Sequence, residues 1–236
     1  MIPIRDENPT RTVPVVTVAL IVLNLLFFLI DRLGAHGQVG ALYEFRMVPQ
    51  NIINQVHGLD PIAPALQPVW LTIFTSMFMH ANLLHIGGNM LYLWIFGDNV
   101  EDRLGHVLFL LFYLAGGVLA ALAQVAFASG SQVPILGASG AIAAVLGAYL
   151  VLFPHQRVRN LIIFFGFIRT VELPAILVLG LWFVLQILSG ITAMATTASG
   201  GTAWFAHIGG FVFGILIGLL ARQLDRAKSS PYFIPR

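Results

Sequence analysis

Long runs without charged residues are the feature that most constrains how this chain can fold. Only 9% of its 236 residues are charged and 58% are hydrophobic, whereas a soluble domain carries about 25% charged residues. Uncharged runs of membrane-spanning length predict transmembrane helices. Such runs lie between Arg11 and Asp31, Asp60 and Asp98, Arg103 and Arg157, and Glu172 and Arg222.

Two segments rich in small and turn-forming residues divide the longest runs. They are "ASGSQVP" near 128–134 and "SGITAMATTASGGT" at 189–202, and such clusters are typical of loops. We therefore expect an all-α, polytopic membrane protein with six transmembrane helices in a single domain covering 1–236. The expected spans are 13–31, 80–97, 105–127, 139–153, 173–190 and 203–221.

The distribution of basic residues predicts the orientation of these spans. Of the 12 Lys and Arg residues, only Arg32 and Arg46 fall in segments on the side opposite the N-terminus. Because basic residues concentrate in cytoplasmic segments, both termini are expected to be cytoplasmic. The basic residues then reflect orientation in the membrane, and no nucleic-acid partner is expected.

The first apolar run predicts a retained membrane anchor, because its 19 uncharged residues exceed the apolar region of a typical cleaved signal peptide. The expected location is a bacterial cytoplasmic membrane. The outer loop at 33–69 is read either as a plain connection or as a segment lying partly in the membrane interface. For the inner loop at 154–172, we expect packing against the inner interface.

The fourth span is too short to cross a bilayer. At about 1.5 Å per residue, 139–153 reaches roughly 22 Å, against a hydrocarbon core of about 30 Å. If this span ends at the inner face near Pro154, it begins inside the membrane, where irregular backbone is tolerated only beside protein or a water-filled cavity. Ser139 is therefore expected at the floor of a cavity that water enters from outside.

Several spans contain polar residues, which are costly in a membrane and are functional candidates. They are His80, His85 and Asn89 in the second span, Ser139 in the fourth and His207 in the sixth. Hydrogen bonding between helices is the alternative role for any one of them. His85 and Asn89 are four residues apart and share a helix face.

Small residues at four-residue spacing predict that spans four and six pack closely. They are Ser139, Ala143 and Gly147 in one span and Gly210, Gly214 and Gly218 in the other. Close backbone approach would bring the Ser139 hydroxyl to the His207 imidazole, and a serine beside a base is an activated nucleophile. No Asp or Glu lies in these spans, so we expect a Ser-His dyad and a slow enzyme.

The start of span four also predicts an oxyanion site. A helix N-terminus presents free N–H groups and the positive end of its dipole. The side chains of His85 and Asn89 would add further donors.

Three motifs together resemble the rhomboid family of intramembrane serine proteases. "HANLLHIGGN" at 80–89, "GASG" at 137–140 and "AHIGGFVFG" at 206–214 are similar to the family pattern H-x4-H-x3-N, G-x-S-G and A-H-x2-G-x3-G. The resemblance covers nearly the whole chain, including "GDNVEDRLG" after the second span. It implies an endopeptidase, without metal or other cofactor, that cleaves single-pass membrane proteins in or beside their transmembrane segments in the lipid bilayer.

The resemblance also implies roles for individual residues. Ser139 would be the nucleophile and His207 the general base. The oxyanion hole would be formed by His85, Asn89 and the Ser139 backbone N–H. Structural support would come from His80, Gly137, Gly140, Gly210 and Gly214. The gate would be the fifth span at Trp182 and Phe183, and the lid would be the following loop with Met194.

Two positions depart from the family pattern. Many members carry Trp-Arg in the first outer loop, but here Trp70 is followed by Leu71 and Thr72. Some members have a tyrosine four residues after the serine, stacked on the histidine, where this chain has Ala143. Other packing must therefore orient His207.

Three alternatives are weaker. A rhomboid-like protein without catalysis usually lacks the serine or the histidine. A metal or ion transporter could use His80, His85 and His207, but the chain has no HExxH pair and no intramembrane carboxylate. A soluble-type nucleophile elbow, G-x-S-x-G, needs glycine where Ala141 stands. The motifs carry no signal for an oligomeric state.

Overall fold

The fold was obtained as a computed structural model that describes residues 1–34, 41–164, 167–196 and 202–228. Most of these residues are helical, and the expected all-α polytopic class is confirmed. The helices are α1 (Val15–Leu33), α2 (Pro49–Val56), α3 (Thr72–Thr75), α4 (Leu83–Leu104), α5 (His106–Phe127), α6 (Ser139–Leu152), α7 (Ala175–Thr196) and α8 (Trp204–Lys228). Short 3-10 turns occupy Tyr43–Phe45, Val69–Leu71 and Ser76–Phe78.

Four of the described helices are long and apolar enough to cross a membrane. They are α1, α5, residues Ala175–Met194 of α7 and residues Trp204–Asp225 of α8. The segments Val69–Phe78 and Leu83–Leu104 meet at a bend of 78° and count as a fifth candidate if taken as one broken span. The 14 residues of α6 reach only about 21 Å.

Helix α6 lies at the centre of the bundle and packs directly on α8. A side chain at Gly210 would overlap the carbonyl oxygen of Gly140, and one at Gly214 would overlap that of Ala144. At Gly147, a side chain would overlap the Phe211 carbonyl oxygen. Because both backbones touch at these points, the distance between α6 and α8 is set without intervening side chains.

Two helix boundaries differ from the sequence expectation. Helix α7 does not end at residue 190 but continues to Thr196. Gly190 lies inside it, where a Cβ would make ordinary contacts at 3.4 Å with atoms of Ile208 and Trp204. Met194 is therefore helical, which corrects its assignment to a loop.

The second boundary is the start of α4, which lies at Leu83 and not at residue 80. Asn82 caps this helix, and its Oδ1 accepts the backbone N–H of His85 at 2.9 Å, as asparagine does at many helix starts. His80 therefore precedes the helix.

The segment before α4 is anchored by charged side chains from the end of α1. Asp31 is buried and accepts the Leu42 N–H at 2.8 Å and a 3.3 Å contact from Arg46. Arg32 donates to the carbonyl oxygens of His80 and Ala81. These contacts hold a folded segment that includes α2 within the described part of 33–69.

A three-stranded antiparallel sheet was not predicted from the sequence. Strand β1 (Ile2–Asp6) pairs with β2 (Arg157–Phe164), which pairs with β3 (Phe167–Pro174). The sheet joins the N-terminal segment to the connection between α6 and α7. At its base, Tyr149 of α6 donates to Oδ2 of Asp6 at 2.6 Å, and burial raises the pKa of the Asp6 carboxyl.

The N-terminus of α1 is capped by a buried carboxylate from α4. Glu101 is fully buried and accepts the N–H groups of Val16 at 2.8 Å and Thr17 at 2.7 Å. His106 contributes a further contact, with its Nδ1 2.6 Å from the same carboxylate. A charged acceptor at this end complements the free N–H groups and the helix dipole.

Candidate active site

A serine and a histidine from the two central helices meet in this fold. Ser139 is the first residue of α6, and its Oγ lies 2.8 Å from Nε2 of His207 in the first turn of α8. The distance is that of a hydrogen bond. His207 is buried, with 8% of its surface exposed. The direct contact of α6 and α8 at Gly140 and Gly210 lies next to this pair and fixes its separation.

The other ring nitrogen of His207 meets a glutamine of α7. Nδ1 lies 2.8 Å from Oε1 of Gln186, and an amide oxygen only accepts hydrogen bonds. With the amide in this orientation, Nδ1 donates its proton to Oε1 and the Nε2 lone pair faces the Ser139 hydroxyl. This is the tautomer that a general base needs.

Two tryptophans surround the His207 ring. The Trp182 ring centroid is 5.8 Å away at a tilt of 36°, and the Trp204 ring lies 6.3 Å away edge to face. With Ala143 in place of a stacking tyrosine on α6, the described contacts that orient the imidazole, apart from the Ser139 hydroxyl, come from α7 and from its own helix.

Gln186 was not singled out from the sequence, although the same signal was available. It is an uncharged polar residue inside the apolar run "LWFVLQILSG", and polar residues in spans are functional candidates. Because a third catalytic residue is usually Asp or Glu, the lack of both in these spans gave no pointer to Gln186.

The space beside Ser139 is bordered by two side chains of α4. A Cβ at Gly137, whose φ is +119°, would lie 2.8 Å from Nε2 of His85 and 3.4 Å from Nδ2 of Asn89. His85 Nδ1 lies 3.4 Å from the backbone nitrogen of Ala81, an arrangement that favours a proton on Nε2. Both groups therefore present donors to the gap that the missing Gly137 side chain leaves open.

His80 is buried beside this gap and contacts both α4 and the loop before α6. It is 1% exposed, and its Nε2 lies 2.9 Å from Nδ2 of Asn89 and 3.5 Å from the backbone nitrogen of Ala138. The Gly137 N–H donates to the carbonyl oxygen of Ser76 at 2.9 Å. The loop before α6 is thus held by His80 and Ser76.

A cavity of about 1200 Å³ opens over these residues. Its wall includes Ser139, His207, His85 and Asn89, together with Met194 from the last turns of α7. Other α7 residues on the wall are Leu188, Ser189, Thr192 and Ala193.

The two residues expected at the gate, Trp182 and Phe183, are not part of this wall and pack inside the helix bundle. Phe183 stacks on Phe211 at 4.3 Å, and Trp182 packs beside His207 and Phe211. The rest of the expected lid, 197–201, lies outside the described residues. In the described part of the chain, no group of three or more His, Asp or Glu side chains is placed to hold a metal ion.

The fold and site define a polytopic helical membrane protein with a Ser-His pair beneath an open cavity. The family model described as "Rhomboid domain" matches residues 67–224, about two thirds of the chain, so the protein belongs to the rhomboid family.

Curated relatives agree with this family. The chain is 29% identical over 202 residues, 85% of its length, to "Rhomboid protease GluP" of Bacillus subtilis. It is 31% identical over 153 residues, 63% of its length, to "Rhomboid protein 1, mitochondrial" of Saccharomyces cerevisiae. It is also 31% identical over 160 residues, 64% of its length, to the human "Presenilin-associated rhomboid-like protein, mitochondrial". These matches cover 34%, 41% and 38% of the respective relatives.

Proposed function

We propose that this protein is an intramembrane serine endopeptidase that cleaves peptide bonds in or near the transmembrane segments of other membrane proteins. The observation that carries the proposal is the 2.8 Å contact between Ser139 Oγ and His207 Nε2 beneath an open cavity. Family membership and the printed name "Rhomboid protease GluP" of one relative support it.

The chemistry follows from the orientation of the two side chains. His207 Nε2 takes the proton from Ser139 as Oγ bonds to the carbonyl carbon of the scissile peptide. His207 then gives that proton to the departing amine as the carbon–nitrogen bond breaks. Water from the cavity hydrolyses the resulting ester, with His207 again acting as base.

The negative oxygen of the tetrahedral intermediate needs hydrogen-bond donors. In the proposed mechanism it lies in the gap beside Gly137, which His85 Nε2 and Asn89 Nδ2 border, and the Ser139 backbone N–H at the start of α6 is the third donor. One such donor is worth about 100- to 1000-fold in rate. His80 supports this arrangement by holding Asn89 and the backbone before α6.

The proposed substrates are single-pass membrane proteins that approach the cavity beside α7. A helical substrate hides its peptide bonds in internal hydrogen bonds, so cleavage requires local unwinding, which glycine or proline in the substrate eases. In this proposal α7 is the gate and the segment after it is the lid. The chain has six spans and cytoplasmic termini in a bacterial inner membrane, with the cavity open to the outer side.

A site-directed cleavage assay tests the proposal. Purified protein in liposomes is mixed with a fluorescent single-pass model substrate, and product is compared for wild type, Ser139→Ala and His207→Ala. We expect product from wild type alone. Gly88→Ala is the control, because a Cβ there meets nothing within 4 Å. Cleavage by folded Ser139→Ala protein at the wild-type rate would eliminate the proposed dyad.

A further inference from the structure

We propose that Gln186 is a positioning residue for His207, so that α7 controls the orientation of the base. The inference rests on the proposed function and extends it to the proposed gate helix. Gln186 sits in the interior of α7, 8% exposed, and its Oε1 lies 2.8 Å from Nδ1 of His207.

The position of the amide oxygen decides which proton His207 carries. With Oε1 as acceptor, the neutral imidazole is protonated on Nδ1 and its Nε2 lone pair faces Ser139. Without that acceptor, the imidazole can also hold its proton on Nε2, where it cannot accept the serine proton. In soluble triads a carboxylate selects this tautomer, and here an uncharged amide would do so.

The remaining contacts make Gln186 important for the orientation of the ring. Ala143 offers no ring from α6, and Trp182 beside His207 comes from the same face of α7, one turn before Gln186. Two of the described contacts that hold the imidazole thus belong to α7. A displacement of α7 at this turn would release the base, whereas movement of its last turns, around Met194, would leave the hydrogen bond intact.

Three substitutions separate orientation from packing. Gln186→Met keeps the size of the side chain but removes the acceptor, and Gln186→Asn withdraws the amide by one methylene. Gln186→Glu restores an acceptor at the original distance and adds a charge that favours the protonated imidazole. Leu185→Met is the control, because Leu185 is in the same turn of α7 and its side chain is 51% exposed, facing away from the helix bundle.

The readout is the rate at which a fluorophosphonate probe labels Ser139, measured against pH in detergent, with thermal unfolding followed in parallel. We expect Gln186→Met and Gln186→Asn to slow labelling by about 10-fold, as for one neutral hydrogen bond. Substrate KM should stay within about twofold of wild type, because Gln186 lies outside the cavity wall. Gln186→Glu should recover most of the labelling rate. The acid limb of its pH–rate profile, where labelling falls as His207 becomes protonated, should move to higher pH.

The outcomes distinguish this proposal from the proposed function. Wild-type protein that neither labels nor cleaves would refute the protease itself. If wild-type protein is labelled and His207→Ala protein is not, the result supports the proposed protease. The Gln186 variants then test the positioning role separately. The positioning role is overturned if folded Gln186→Met labels at the wild-type rate, or if Gln186→Glu is as slow as Gln186→Met at every pH.

Discussion

Replacing Gly210 by alanine should separate Ser139 from His207, the proposed catalytic pair, without changing either residue. The added Cβ would overlap the carbonyl oxygen of Gly140 and lie 3.3 Å from the Cβ of Ala143. Backbone atoms supply the first of these contacts, so no side-chain rotation can relieve it. Restoring an ordinary carbon–oxygen contact requires α6 and α8 to move apart by about 1 Å.

The rate consequence follows from where the two glycines lie. Gly140 adjoins Ser139, and Gly210 is one turn after His207, so most of the displacement reaches the pair. The Ser139–His207 distance of 2.8 Å would grow to about 3.8 Å, beyond the ordinary hydrogen-bond limit. A misplacement of about 1 Å costs on the order of 100-fold in rate.

The assay is cleavage of a model transmembrane substrate in liposomes, with kcat and KM measured separately and folding checked by thermal unfolding. We expect kcat of Gly210→Ala to fall by about 100-fold, with Gly88→Ala unchanged as the control. If folded Gly210→Ala protein cleaves within about threefold of wild type, backbone contact between α6 and α8 does not set the geometry of the dyad.

Three further predictions concern the surroundings of the site. Gly137→Ala should lower kcat by about 100-fold, because its Cβ would occupy the gap beside His85 in a backbone conformation that disfavours alanine; the cleavage assay measures this, and unchanged turnover would contradict it. Glu101→Ala should reduce the free energy of unfolding by about 1.5–3 kcal/mol in mixed-micelle denaturation. Asp102→Asn should reduce it by less than about 1 kcal/mol, because Asn keeps an oxygen that can accept the hydrogen bonds of Arg11 and Thr12 at this more exposed position; equal losses would argue against the buried cap. A fluorophore on Ile163→Cys, in a chain without native cysteines, should be quenched by nitroxide lipids more strongly than one on Glu7→Cys, because Ile163 is an exposed apolar residue of β2; equal quenching would contradict packing of this strand at the membrane.

The helices were largely predictable because their signals are local. An uncharged apolar run of sufficient length has few alternatives to a membrane helix, and small residues every four positions mark one face of it. The short α6 was identified by length alone, since 14 residues cannot cross a bilayer. The position of α8 beside α6 follows from the glycine faces that both helices carry.

The sheet could not be predicted in the same way. Its central strand, β2, pairs with β1, more than 150 residues earlier in the chain, and long-range pairing leaves no local pattern. The segment "LIIFFGFI" is apolar on every residue but glycine, so it lacks the alternation that marks a half-buried strand.

The contacts around the site depended on details that spacing does not contain. The sequence underestimates the length of α7 because Ser189 and Gly190 have the composition of a break between helices, whereas Gly190 packs against α8. The Gln186–His207 hydrogen bond needs the rotational setting of α7 relative to α8, which no motif specifies. The departure at Ala143 indicated only that some other group must orient the imidazole.

The central claim is that His207 activates Ser139 within a water-accessible cavity. Its most direct test is mass spectrometry of protein treated with a fluorophosphonate, with the adduct mapped to a single residue. The account predicts one adduct, on Ser139, in wild-type protein and almost none in folded His207→Ala protein. An adduct on another residue, or equal modification of Ser139 with and without the histidine, would contradict it.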